Sequence, residues 1–211
     1  NTEGGRGVSP SLSLSVRPRP TLRLGFEPNY SSTHALAQFV TSRADAGATS
    51  TYGRRYVFAT LDQKVASLVT RVDWTFSPRM SLQLYVQPLI VSGHYGEYKE
   101  FTTPRAFVFA VYGKDKGTVV RDPATGVVTI DPGNGKLLQF SDPDFNFRSL
   151  RGNAVLRWEY RPGSTLFLVW QQHRQDVESF GDFALGRDYS GLFKQAPENV
   201  FAVKATYWLP V

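Results

Sequence analysis

Residues 64–76 read Lys-Val-Ala-Ser-Leu-Val-Thr-Arg-Val-Asp-Trp-Thr-Phe. The even positions are Ala66, Leu68, Thr70, Val72, Trp74 and Phe76, and the odd ones include Ser67, Arg71, Asp73 and Thr75. A two-residue period puts one set on each face of a β-strand, whereas a 3.6-residue helical period would mix them. After Ser77-Pro78-Arg79 the pattern resumes, with Met80, Leu82, Leu84 and Val86 against Ser81, Gln83, Tyr85 and Gln87. Two alternating runs joined by a tight proline-containing turn predict a long antiparallel hairpin.

The same grammar recurs outward from this hairpin. Ala154, Leu156, Trp158 and Tyr160 alternate with Asn153, Val155, Arg157 and Glu159, then Arg161-Pro162-Gly163-Ser164 turns into Thr165–His173. Near the start, Leu12, Leu14 and Val16 alternate with serines, Arg17-Pro18-Arg19-Pro20 turns, and Leu22, Leu24 and Phe26 follow. Phe201, Val203, Ala205, Tyr207 and Leu209 alternate with Ala202, Lys204, Thr206 and Trp208 in the last segment. With weaker strands at 35–42 and 55–61, roughly nine strands are expected. Helical periodicity is convincing nowhere.

Numbered in chain order, the three proline-containing turns follow strands 1, 5 and 7, and in an up-and-down meander odd-numbered turns share one rim. The longest connections, 92–149 and 175–198, fall on the other rim. Short turns at one end and long loops at the other are the layout of an outer-membrane barrel, whose strands hide only every second residue in lipid. The expected fold is therefore all-β, an antiparallel up-and-down transmembrane β-barrel. Within 92–149, Asp122-Pro123-Ala124-Thr125-Gly126 between two short apolar runs predicts a small hairpin, and Asp131-Pro132-Gly133-Asn134-Gly135 a second turn.

Composition agrees with a β-rich chain that folds or inserts. The 211 residues suffice for one large domain. Aromatics make up 14%, and the charged share of 20% is below that of an average soluble domain. No run approaches the ~18 apolar residues of a membrane helix, and residues 1–10 lack the basic-then-apolar layout of a signal peptide, as a mature or truncated chain would. Cysteine is absent, which removes disulfides, thiolate metal sites and a cysteine nucleophile. His34, His94 and His173 are scattered without zinc-ligand spacing, so no metal and no cofactor is expected. The net charge of +6 is spread along the chain with no cluster or recognition helix, which argues against nucleic acid.

The tryptophans offer a check, because an indole with one polar edge prefers a membrane interface. Trp74, Trp158 and Trp208, with Tyr160 and Tyr207, lie near the short-turn rim or the C-terminus and are candidate interface aromatics; Trp170 is the exception. Ordinary core aromatics of a soluble β protein would explain these positions equally well, and the turn parity tips the reading to a barrel. Arg23, Glu27, Arg71, Asp73, Arg157, Glu159 and Lys204 lie mid-strand opposite the apolar positions and are candidate lumen-lining residues. A lining paired for stability, with no transport role, accounts for them as well as a conducting pathway does.

Other constellations read as structure. Asp142-Pro143-Asp144-Phe145-Asn146 has oxygen ligands at alternate positions, but Phe147 replaces the glycine and Asn153 the glutamate of a calcium loop, leaving a turn into a strand. Glu97, Glu100, Asp176, Glu178 and Asp182 could in principle pair as glycosidase carboxyls, though solvated loop charge is the default. No Gly-x-Ser-x-Gly elbow surrounds any serine, and an enzyme is not expected.

Residues 55–63 (RYVFATLDQ), 81–88 (SLQLYVQP), 149–160 (SLRGNAVLRWEY), 161–171 (RPGSTLFLVWQ) and 197–209 (PENVFAVKATYWL) together resemble the C-terminal barrel of a family of uncharacterised bacterial outer-membrane proteins. Members carry a β-sandwich similar to carbohydrate-binding family 9 ahead of the barrel. The resemblance runs from about Arg17 to the end. It implies a bacterial outer-membrane location, a barrel completed by strands outside these residues, and no established catalytic residues. The ending Tyr207-Trp208-Leu209-Pro210-Val211 resembles the aromatic last strand by which such barrels are recognised for insertion, departing from it in the final two residues.

The expected functions are three. The first is a pore or surface-binding barrel for glycans or other polar solutes, embedded in outer-membrane lipid. The second is a structural or docking barrel plugged by the loop 92–149 and contacting a partner protein at its long loops. The third is a soluble β-sandwich or propeller fragment, which would fold without detergent.

Overall fold

The computed structural model describes residues 4–103 and 106–209. The expected departure at Pro210 and Val211 lies outside the described residues. Twelve strands and one α-helix follow in order: β1 (Arg6–Val8), β2 (Leu14–Arg19), β3 (Leu22–Ala44), β4 (Arg54–Ser77), β5 (Met80–Phe101), β6 (Phe109–Val111), β7 (Thr118–Asp122), β8 (Val127–Asp131), β9 (Leu138–Ser141), β10 (Phe145–Arg161), β11 (Ser164–Glu178), α1 (Leu185–Lys194) and β12 (Glu198–Thr206). The helix is neither long nor apolar enough to cross a membrane.

The chain is all-β and its pairings between strands are antiparallel. One large sheet has the order β1-β3-β4-β5-β10-β11-β12, with β2 continuing the β1 edge along the lower half of β3 and β6 taking the place of β10 at the upper end of β5. The three short turns join β2 to β3, β4 to β5 and β10 to β11, all at one end, here the bottom. Two pairs of expected strands are each one continuous strand: 22–26 with 35–42 in β3, and 55–61 with 64–76 in β4. Because the strand count falls by two ahead of the later turns, the parity of those turns survives.

The sheet is open. Seven strand positions stand abreast, and β12 does not meet the β1–β2 edge among the described residues. Closed bacterial barrels begin at eight strands, one more than the seven positions that stand abreast here. The three longest strands, of 22 to 24 residues, would each extend for roughly 75 Å at ~3.3 Å per residue, far beyond the ~25 Å of an apolar membrane band.

The long connection runs from 102 to 144, shorter than the expected 92–149 because β5 and β10 extend into it. Its predicted hairpin is present as β7 and β8, closed by Asp122, whose carboxylate accepts from the Ala124 amide at 2.9 Å and the Thr125 hydroxyl at 2.8 Å. With β9 it makes a three-stranded sheet that caps the top of β4 and β5. Val128, Ile130 and Leu138 of this cap pack against Val57, Ala59, Tyr98 and Tyr112 in the chain's main buried apolar cluster.

Candidate functional site

Register, not just alternation, shows how the two faces are organised. Leu22 pairs with Trp74, Leu24 with Val72, Phe26 with Thr70, Pro28 with Leu68 and Tyr30 with Ala66. Trp74 continues to Leu82, then Leu156 and Leu168; Val72 continues to Leu84, Ala154 and Trp170; Leu168 and Trp170 reach Val203 and Phe201. Leu14 and Val16 extend the rows past β3. Directly opposed residues share a face, so an apolar stripe crosses the large sheet in its lower rows, broad on β3 to β5 and narrower towards β11 and β12. On β3 to β5 it measures about 26 Å along the strands from the Trp74 row to the Ala66 row; towards β11 the Thr70, Leu68 and Ala66 rows pass into Gln172, Arg174 and the Arg148–Asp176 pair, so there the stripe ends at Ala154 and Trp170. β-Bulges fall above it at 35–41 and 58–60, and a further register shift lies below it at 75–77.

The opposite face is polar. Arg23 lies opposite Asp73, and Arg71 reaches Glu27 at 2.5 Å while its guanidinium stands 5.5 Å from the Tyr85 ring centre. Arg157 and Glu159 meet at 3.8 Å along one strand, and Lys204 lies opposite Phe167. All seven expected lining residues are on this face, but they form small local groups rather than one cluster. Arg71 and Glu27 are each about half exposed, so their pair adds at most about 1 kcal/mol. Between these groups opens a recess of about 500 Å³ lined by Tyr85, Arg151, Asn153, Gln171, His173 and Glu198. The Asn153 side-chain Oδ1 is buried there without a partner among the described residues. Of these residues, only Tyr85 and Asn153 stood out in the alternation, as members of strand faces; the grouping requires the β5-β10-β11-β12 register.

The expected interface aromatics gather at the lower border of the stripe. Trp74 packs on Phe76 with ring centres 4.3 Å apart, Trp158 lies edge-on to Tyr160 at 6.1 Å, and the Tyr160 hydroxyl donates to the Thr206 carbonyl at 3.0 Å. Tyr207 is stacked by Arg161 at 5.1 Å, and Trp208 packs over the turn at Gly163. Trp170, the sequence exception, stands where the stripe ends on β11, stacked on Phe201 at 6.5 Å, and donates its indole N–H to Asn199 at 2.9 Å.

The acidic residues read as solvated loop charge are instead on strands or in ion pairs. Arg148 holds Asp176 at 2.6 Å and Glu178 at 3.1 Å, both on β11, and Arg187 holds Asp182 at 2.5 Å. Glu97 and Glu100 are on β5; Glu97 pairs with Lys114, and Glu100 is drawn into the cap by Arg55, Lys116 and the Tyr112 hydroxyl. Arg55, only 4% exposed, also donates to Asp45 at 2.8 and 3.0 Å, which Asn134 of the cap contacts at 3.1 Å. The hydrogen bonds from Arg55, then the Gly47 amide, hold the Asp45 carboxyl down to about 2. Burial, and then the neighbouring Glu100 carboxylate, push the Tyr112 phenol up. These groups stand well above the stripe.

A second polar group was missed by sequence reasoning, which saw only scattered histidines. On the stripe-bearing face above the apolar rows, His34 lies 2.7 Å from Asp62, Asp62 is opposite His94 across β4 and β5, and His94 lies 2.7 Å from Asp144. Asp144 accepts from the Tyr95 amide at 2.7 Å and from Arg121 at 3.1 Å, so the aspartate of the rejected calcium loop locks the cap onto β5. Among the described residues no group of three or more potential ligands could hold a metal ion.

A family model described as a domain of unknown function, DUF5916, matches residues 2–211. Neither the curated proteins nor the solved structures give a match.

Proposed function

The chain belongs to the DUF5916 family, and from that starting point we propose that it is the membrane-spanning portion of a bacterial outer-membrane β-barrel whose polar face handles polar solutes such as glycans. The observation that carries this reading is the apolar stripe, about 26 Å tall on β3 to β5 and narrowing towards β12, bordered below by Trp74, Trp158, Tyr160 and Tyr207 and above by Tyr30 on β3 and by Trp170 and Phe201 on β11 and β12. A soluble sheet leaving these apolar rows uncovered from β2 to β12 would expose a patch beyond the few hundred Å² usual for monomers. In lipid that face is solvated, and the aromatics sit where headgroups begin.

The recess on the other face suits a sugar. Tyr85 supplies an apolar ring face, while Arg151, Asn153, Gln171, His173 and Glu198 supply donors and acceptors. Folding tests the membrane reading. A β-spectrum and a heat-modifiable gel band with detergent micelles only are the expected outcome, and a cooperative β-fold in plain buffer overturns it.

A second reading is favoured by the cap. Residues 118–141 of the long connection form a folded sheet, ion-paired and seated at the top of β4 and β5, as a plugged or docking barrel with a partner protein at its outer loops requires. Planar-bilayer conductance separates the two: a steady current lowered by Arg71→Ala supports the pore, and a silent channel supports the plug.

A further inference from the structure

We infer that residues 179–197 form a collar at the outer edge of the membrane band, with one flank of α1 lying at the boundary between lipid headgroups and acyl chains. The inference rests on the membrane reading above and adds a lipid-contacting surface that is not part of any strand.

The helix rests on the sheet by a narrow edge. Asp188 and Leu192, four residues apart and both fully buried, point at β10 and β11. Asp188 accepts from Asn146 at 3.1 Å and from the Ala184 amide at 2.9 Å. Gly191 lets the helix come so close that an added Cβ would stand 2.0 Å from an Arg148 guanidinium nitrogen. Leu185, Tyr189 and Phe193 are also spaced by four, which places them on one flank, and they are 58%, 47% and 48% exposed. Arg187 and Lys194 project from the other flank, where Arg187 binds Asp182 and stacks on Phe180 at 4.2 Å. A short helix with an aromatic flank, a basic flank and a thin buried edge is built to lie in an interface plane.

Position decides what covers the aromatic flank. At the C-terminal end of the helix, Arg174 donates to the Phe193 and Gln195 carbonyls at 3.0 and 3.1 Å. Arg174 is four residues above Trp170 on the same face of β11, or about 13 Å. Ahead of the helix, Phe183 stands edge-on to Tyr30 at 6.3 Å, and Tyr30 belongs to the top row of the stripe on β3. The segment therefore runs along the upper border of the stripe from β11 to β3. Its exposed apolar flank continues a surface already assigned to lipid, and the occupant is the same bilayer.

The chain contains no cysteine, so single introduced cysteines can carry a fluorescent reporter without background. Phe193→Cys, Tyr189→Cys, Ser190→Cys, Leu68→Cys in the stripe and Lys136→Cys in the cap would be labelled. The folded protein would be placed in phosphatidylcholine–phosphatidylglycerol vesicles containing lipids with a nitroxide near the headgroup or near the chain end. At positions 189 and 193 the headgroup-level nitroxide should quench about twofold or more strongly than the deep one, as a helix seated ~5–10 Å into the interface requires. Position 68 should show the reverse order, position 136 no quenching, and position 190 weaker quenching than 193. If 189 and 193 behave like 136 while 68 is quenched, the collar is outside the lipid and the inference falls while the membrane reading stands. If 68 is also unquenched, both fall.

Discussion

Gly163 shows how much one position can carry. It follows Pro162 in the turn between β10 and β11 at φ +75°, a backbone setting costly for side chains with a Cβ. An added Cβ would also lie 2.9 Å from that of Trp208. Gly163→Val should cost about 2 kcal/mol in denaturant unfolding. The turn was legible because proline and glycine stand in adjacent positions that name it. Asp45 and Arg55 were not legible, since nothing in a list of charges marks which pair is buried, and Glu100 comes from another strand. Because the Asp45 carboxyl is held at about 2, below its ordinary 3.8, its stabilisation is present above 3.8 and is lost as pH falls toward 2. The methyl resonances of Val128 and Ile130 should then broaden at higher pH in Asp45→Asn than in the parent as both are acidified. At neutral pH the variant should lose about 2 kcal/mol of cap stability, since Arg55 keeps Glu100 but gives up a charged partner.

At the scale of elements, the hairpins were readable because a period of two, once in phase, keeps all its side chains on their faces. Any one-residue slip would move the whole apolar set to the other side. Strand ends were less readable: β3 runs on through polar Ser31–His34 and the bulged segment 35–41, where alternation breaks although pairing continues. Helix α1 was missed for a similar reason. Gly186 and Gly191 are poor helix formers, and its N-cap residue Ala184 makes no side-chain cap. The helix depends on its docking against Asn146 and Arg148, which a reading of local propensity does not see. The stripe makes its own prediction. Leu68→Arg should destabilise the vesicle-folded protein by about 2–4 kcal/mol, and Ser67→Arg, one residue away on the polar face, by less than about 1 kcal/mol. Urea titration in vesicles measures both; equal, small effects would mean that the two faces meet the same solvent.

Across the molecule, the lower part of the sheet sorts its residues into an apolar and a polar face, while the upper part is tied down by the cap and the collar. Replacing residues 109–141 with a short linker removes β6 to β9. If the cap closes the path along the polar face, planar-bilayer current should rise from silence to discrete steps; if the path is open without that change, the current should alter little. Among the described residues the sheet also ends in two bare margins. Every residue of β12 is exposed, as is every residue of β2. In water such a margin is merely adhesive, but hydrocarbon offers nothing to the amides and carbonyls along it, and each one left alone there costs several kcal/mol. Entry into the bilayer and capture of further backbone along these margins are then a single thermodynamic event. The rate of insertion would follow the supply of complementary strand, much as a zipper closes only as fast as its second row of teeth arrives.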